Sequence, residues 1–178
     1  MRIAYAGHPG AFGELACLGR FPAGEPVGHA DFRAACDALI AGACDYALIP
    51  FENTVAGAVP GVDALLASLP VTRIGVQQQP VAFHCFGLPG TRLDEIEVVA
   101  SHPMALAECR IFLASIDARA EDAGDTAGAA SDVAERGLHT RAALASARAG
   151  ELYGLEVLAA NVEDSADNMT SFAVLVRS

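Results

Sequence analysis

The chain has 178 residues, 53% hydrophobic and 19% charged, with a formal net charge of −11. That length and apolar content fit one globular domain, or two small lobes, rather than a disordered segment. The acidic balance argues against nucleic acid and anionic membrane as partners. All eleven basic residues are arginine, which excludes Schiff-base chemistry and a P-loop lysine.

Cys17, Cys36, Cys44, Cys85 and Cys109 are odd in number and contain no C-x-x-C pair, so they read as reduced, buried thiols. The five histidines show no metal-ligand spacing. No apolar run approaches membrane-spanning length, and the apolar start is too short for a signal peptide. A soluble, cytoplasmic protein is the expectation.

In chain order, Ile3 to Ala6 reads as a strand. It runs into Gly7-His8-Pro9-Gly10-Ala11-Phe12-Gly13-Glu14, a turn opening a helix. The glycine spacing there matches neither the dinucleotide fingerprint nor a Walker motif. Asp31 caps a helix with Phe32, Cys36, Leu39 and Ile40 at helical spacing, and Gly42 follows its end. Ala47 to Ile49 is a short apolar run, as in a strand buried on both faces, and Pro50, which cannot donate to a ladder, should end it. Glu52, Asn53 and Thr54 come next, at the carboxyl end of that strand, where open α/β sheets bind ligands. The same residues also fit a strand followed by a cap, with Asn53 or Thr54 serving only the backbone.

Pro60 is placed to begin a further helix with Val62, Leu65, Leu66 and Leu69 as its stripe, stopped by Pro70. Arg73 to Gln79 and Val81 to Leu88 look extended, with Pro80 a natural crossing point between lobes. Val98 to Ala100 is a buried strand. Ser101-His102-Pro103 then reads as serine cap and proline at the first helical position. Leu106, Cys109, Ile111 and Leu113 carry that helix on, though not all on one face. Ala118 to Asp122 is extended, Asp125-Thr126 caps an alanine-rich helix stopped by Gly137, and Ala142 to Ala145 is a strand. A short helix ends at Gly154, Val157 to Val162 is a strand or crossing segment, and Phe172 to Val176 is the last strand. Strands alternate with helices, so mostly parallel sheets are expected. The order fits two α/β lobes, the first about 1–78 plus 162–178 and the second about 79–161. A cleft between them would be lined by the turns at 7–13, 50–57, 101–104 and 125–128.

These residues resemble the prephenate dehydratases of phenylalanine biosynthesis, from residue 2 to about 176. Asp45-Tyr46-Ala47 through Pro50, Glu52-Asn53-Thr54 and Gly57 is similar to that family's D-Y-A-x-x-P-x-E-N-S/T-x-x-G. His84-Cys85, Ser101-His102-Pro103, Thr126 to Ala130, Ala142 to Ser146, Glu151 to Leu155 and Asn168-Met169-Thr170-Ser171-Phe172 match further signatures in the same order. The resemblance implies two α/β lobes like a type-II periplasmic binding protein, with the active site in the cleft between them. The implied reaction converts prephenate to phenylpyruvate by decarboxylative dehydration, without cofactor or metal. A homodimer is the expected assembly.

By that resemblance Thr170 lies nearest the leaving hydroxyl, and Asn53 donates to the same region or to a carboxylate, making these two the catalytic pair. Glu52, Thr54, Ala11, Ser101, His102, Met104, Thr126, Ser171 and Phe172 are the expected substrate-binding residues. His102, between a cap and a proline, also reads as structural, and Met104 as packing. Several departures stand out. The family's T-R-F is Thr170-Ser171-Phe172, its S-H-P-Q ends in Met104, and its opening motif loses two hydroxyls at Ala11 and Gly13. The ACT regulatory domain that usually follows is absent from these residues. A missing arginine contact to a carboxylate is worth roughly 1.5–3 kcal/mol. A prephenate decarboxylase keeping the hydroxyl and a non-catalytic sensor of a small carboxylate are therefore the alternatives to a dehydratase, itself slow or altered through Ser171 and Met104.

Overall fold

The computed structural model describes residues 1–178. β1 (Arg2–Ala6) leads into α1 (Phe12–Arg20), β2 (Glu25–His29) and α2 (Phe32–Ile40). β3 (Tyr46–Asn53) is followed by β4 (Gly57–Ala58), α3 (Val62–Ala67) and β5 (Val71–Pro80). Next come β6 (His84–Gly87), β7 (Val98–Ser101), α4 (Pro103–Glu108), α5 (Arg110–Ala114), β8 (Arg119–Asp122) and α6 (Thr126–Arg136). β9 (Arg141–Ala145), α7 (Ala147–Leu152), β10 (Glu156–Ala159) and β11 (Met169–Arg177) complete the elements.

The elements form two compact units. Unit 1 comprises residues 1–8, 12–81 and 167–178, and unit 2 comprises 9–11 and 82–166. The crossings fall a few residues beyond 78 and 161 because β5 keeps pairing with β11 up to Pro80, opposite Met169. Residues 9–11 join unit 2 through a tight contact. Gly10 has φ +91°, and a Cβ built there would lie 2.7 Å from the Cα of Ala149. The Ser146 hydroxyl, which also caps α7, donates to the Gly10 carbonyl at 2.6 Å.

In unit 1 the sheet order is β2-β1-β3-β11-β5, with β4 on the end of β3. β1 pairs in parallel with β2 and β3, whereas β11 is antiparallel to both β3 and β5. In unit 2 the order is β10-β6-β9-β7-β8, parallel across β9, β7 and β8 and antiparallel across β10, β6 and β9. The expected mostly parallel sheets are therefore mixed. Strand–helix alternation fixes crossovers between sequential strands. It is blind to β11, which returns from the far end of the chain and inserts between β3 and β5.

Asp31 caps α2, its Oδ1 accepting from the Ala34 amide at 2.7 Å. Ala35, Cys36 and Leu39 pack from α2 onto Ala4, Ala47, Ile49, Ala173 and Leu175 as the unit 1 core. In unit 2, β9 is buried along its whole length, and α6 lays Ala127, Ala129, Ala130 and Val133 inward. Small residues there let helix and sheet approach closely. Asp125 caps α6 by accepting from Gly128, and Gly137, at φ +64°, ends it. Some boundaries move from expectation. α3 starts at Val62 after a left-handed Gly61, leaving Pro60 outside. The α4–α5 helix breaks at Cys109, where apolar residues leave a single face. β2, with Pro26 and Gly28 and no apolar alternation, gave no strand signal.

All five cysteines are buried and free. Burial pushes the thiols of Cys17, Cys85 and Cys109 up to about 12, that of Cys36 to about 11, and that of Cys44 upward too. Thiolate is the reactive form, so these groups are inert near neutrality. In the native protein at pH 8, none should react with a disulfide reagent within minutes, and all should react once denatured. Fast stoichiometric labelling of the native protein would contradict this packing. No helix is long and apolar enough to cross a membrane.

Candidate active site

The carboxyl end of β3 lies beside the start of β11, and a register slip determines which side chains meet. From Leu175↔Ala47 to Phe172↔Pro50 the two strands pair step for step. Ser171 then faces Glu52 and Thr170 faces Asn53, leaving Phe51 as an extra residue. Prolines in sheets settle at such bulges because they have no N–H to give the ladder. Pro50 therefore marks a bulge rather than the end of the strand, which continues to Asn53. Without the extra residue, Glu52 would face Thr170. The bulge puts a neutral amide next to the threonine instead of a carboxylate. The displaced Phe51 ring packs against the unit 1 core, with the Arg73 guanidinium 4.1 Å from its centroid.

Asn53 is buried at 5% exposure, and every hydrogen-bonding position of its amide is filled. Its Oδ1 accepts from the Val55 and Ala56 amides, both at 2.8 Å. Its Nδ2 donates to Asn168 Oδ1 at 2.7 Å and to Thr170 Oγ1 at 3.0 Å. Two lone pairs and two hydrogens exhaust an amide. The two backbone donors on Oδ1 also fix which end is which. In this structure both Asn53 hydrogens, expected to reach substrate, go to protein oxygens. What it does is hold Thr170.

Thr170 is half-buried. Its oxygen receives the Asn53 hydrogen, so its own hydrogen remains to be donated to another acceptor. Accepting one hydrogen bond polarises the hydroxyl and strengthens the next one it donates. On its other side Thr170 pairs with Gln79 of β5, so Asn53, Thr170 and Gln79 form one polar row on one face of the sheet. Phe172, buried two residues on, extends that face with an aromatic wall.

The remaining expected residues of unit 1 serve other purposes. The Thr54 hydroxyl donates to the Asp167 carbonyl at 2.8 Å and accepts from the Met169 amide at 2.9 Å, stapling the start of β11. The hydroxyl expected at the substrate is thus engaged with backbone on both sides in this structure. Ser171 pairs with Glu52 on one side and Gln78 on the other, on the face opposite Thr170. An arginine at 171 would thus have the exposed Glu52 as its cross-strand partner.

In unit 2, Ser101 is fully buried and its hydroxyl donates to the Leu144 carbonyl at 2.7 Å, within the sheet. With that side chain tied to β9, the cap of α4 passes to His102, whose Nδ1 accepts from the Met104 amide at 3.2 Å. His102 thus serves as the cap of α4. Met104 is half-buried on α4, Ala11 is buried in the turn held by α7, and Thr126 is the first residue of α6. Two members of the unit 1 site escaped the sequence reading. Asn168 lies in the quoted Asn168-Met169-Thr170 run and could have been singled out there, whereas Gln79 is visible only through strand pairing.

The family model for prephenate dehydratase matches residues 3–178. Arogenate dehydratase 5 of Arabidopsis thaliana is 40% identical over 99% of this chain and 42% of that relative. A bifunctional N-acyl-homoserine lactone acylase/prephenate dehydratase of Komagataeibacter europaeus is 36% identical over 98% of this chain and 62% of its own length. The chain thus spans less than two thirds of these curated relatives. The solved prephenate dehydratase of Arthrobacter aurescens in complex with L-Phe superposes with a TM-score of 0.91 at 25% identity, over 100% of this chain and 61% of the other. The methionine binding protein MetQ, at 11% identity and a TM-score of 0.53 over 100% of this chain and 83% of its own, shares the fold alone. The two α/β units are of the type-II periplasmic-binding-protein kind. A family match over residues 3–178, together with the Glu52-Asn53-Thr54 and Thr170-Ser171-Phe172 segments paired across β3 and β11, shows that the chain belongs to the prephenate dehydratase family.

Proposed function

We propose that this chain catalyses loss of carbon dioxide and hydroxide from prephenate, giving phenylpyruvate. The bond from the ring to its carboxylate breaks, the electron pair moves through the ring diene, and the carbon–oxygen bond opposite breaks as the ring becomes aromatic. Hydroxide leaves and is protonated to water. The drive is internal to the substrate. The protein must hold the ring, stabilise charge growing on the leaving oxygen, and leave the departing carboxylate poorly solvated.

The observation that carries this reading is the hydrogen bond from Asn53 Nδ2 to Thr170 Oγ1 at 3.0 Å, which leaves the threonine's own hydrogen free to be donated. A threonine is too weak an acid to protonate the leaving group outright. A preoriented hydroxyl donor, however, binds the leaving oxygen more tightly as negative charge builds. The neutral Asn53 beside it adds no opposing charge, whereas a carboxylate at that register position would. Phe172, buried on the same face of the sheet, gives the row an apolar backing. Relatives named for arogenate and for prephenate share this ring chemistry, and the two substrates differ only where the side chain carries an amino or a keto group.

The protein should be incubated in parallel with prephenate, arogenate and an N-acyl-homoserine lactone. Phenylpyruvate from prephenate, with matching carbon dioxide, is the expected result. Phenylalanine formed faster from arogenate would move the assignment to that substrate. Carbon dioxide released without an aromatic product would mean a decarboxylase, and hydrolysis of the lactone's amide alone would mean an acylase. Binding without turnover would leave a sensor.

A further inference from the structure

We infer that Asn168 is a positioning residue for Thr170, acting through Asn53; this rests on the proposed role of Thr170. Asn168 is buried at 3% exposure, immediately before β11. Its Oδ1 takes one hydrogen of the Asn53 Nδ2 group at 2.7 Å, and the other hydrogen goes to Thr170 Oγ1 at 3.0 Å. The two hydrogens of an amide nitrogen lie in one plane at a fixed angle. Holding one therefore aims the other. Rotation about the bond to the amide carbon carries Oδ1 and Nδ2 together, so the two backbone amides on Oδ1 and the Asn168 acceptor on Nδ2 hold that one torsion from both ends. Asn168 is the part of the hold that acts on the donor side.

The acceptor is itself anchored. The Asn168 carbonyl accepts from the Val81 amide at 2.9 Å, and Thr54 clamps its neighbours on both sides through Asp167 and Met169. The rigidity of the backbone at 167–169 is thus passed to a hydroxyl two residues further on by a route through the opposite strand. The Asn168 side chain reaches Thr170 only through Asn53. Loss of Asn168 should therefore lower kcat with little change in KM, since the aim of the Thr170 proton matters most when charge has developed.

Asn168→Leu, which keeps the bulk and removes the acceptor, should reduce kcat on prephenate about tenfold. Asn168→Asp, which keeps an acceptor oxygen but adds a buried negative charge, should recover only part of that loss, and more of it at lower pH where the carboxyl is protonated. In a Thr170→Val background, Asn168→Leu should add less than about a twofold further loss, because the route ends at the missing hydroxyl. Multiplicative losses in the double variant would overturn the proposal. If leucine is not accommodated, Asn168→Ser, too short to reach Asn53, takes its place.

A second readout does not depend on turnover. The side-chain amide hydrogens of Asn53, identified by their loss in Asn53→Asp, should both be protected from exchange in the wild type. In Asn168→Leu at least one should exchange about tenfold faster or more. Unchanged protection would sink the inference even in an active enzyme. Absence of any prephenate turnover in the wild type would instead defeat the dehydratase reading while leaving this readout intact.

Discussion

Thr170→Val should lower kcat on prephenate about a hundredfold, equivalent to roughly 2.7 kcal/mol of lost transition-state stabilisation, with KM within about threefold of wild type. Valine matches threonine in shape and keeps the β-branch that suits the head of β11, so the change removes the hydroxyl and little else. The Asn53 hydrogen that Thr170 accepts loses its partner. Because Thr170 is only half-buried, water can replace the acceptor, and the fold should persist with a melting temperature lowered by a few degrees. Thr170→Ser, retaining the donor, should stay within about tenfold of wild type. Steady-state kinetics together with a thermal melt make the check. A valine variant that is folded and as fast as wild type would remove the hydroxyl from the reaction and with it the main support for a dehydratase.

The second large effect is on stability. Gly10→Ala should destabilise the protein by about 3 kcal/mol, roughly 6–12 °C in melting temperature. Two independent costs meet at this residue. Its φ of +91° is a conformation that side-chain-bearing residues rarely adopt, and the new methyl would lie 2.7 Å from the Ala149 Cα and 2.8 Å from its Cβ. The nearer obstacle is backbone, so no rotamer change relieves it. The turn would have to lift from α7, loosening the Ser146 bond to the Gly10 carbonyl and releasing Ala11 from its buried place. As a comparison, Gly90→Ala also sits at positive φ, but nothing lies within 4 Å of its added methyl. It should cost only about 1 kcal/mol. Equal melting temperatures for the two variants would show that the contact with α7 contributes nothing.

Local chemistry was legible wherever its partners are near in sequence. Asp31 and Asp125 could be read as caps because each accepts from an amide three residues on, and Gly137 as a stop because its own amide closes onto Val133 four residues back. The buried strands could be read from unbroken apolar runs, and the run of motifs from residue 2 to about 176 carried the family. The limits also have a physical origin. A short polar side chain can serve its own backbone or a ligand, and only its three-dimensional neighbours decide. Ser101 and Thr54 read equally well as substrate contacts, but the strands around them supply a carbonyl for each hydroxyl. His102, which reads both ways, is a cap. Ser171 differs from Thr170 by one position, yet strand alternation places it on the other face, beside Glu52.

Above all, the pairing of Asn53 with Thr170 joins residues 117 positions apart and depends on one extra residue in β3. The sequence by itself determined that a polar segment would follow a buried strand at its carboxyl end, and that a proline without an amide hydrogen would interrupt the ladder there. Only the tertiary structure decided that the interruption is a bulge, because only β11 supplies the register against which one residue can be extra. That single slip turns Glu52 away and brings Asn53 to Thr170.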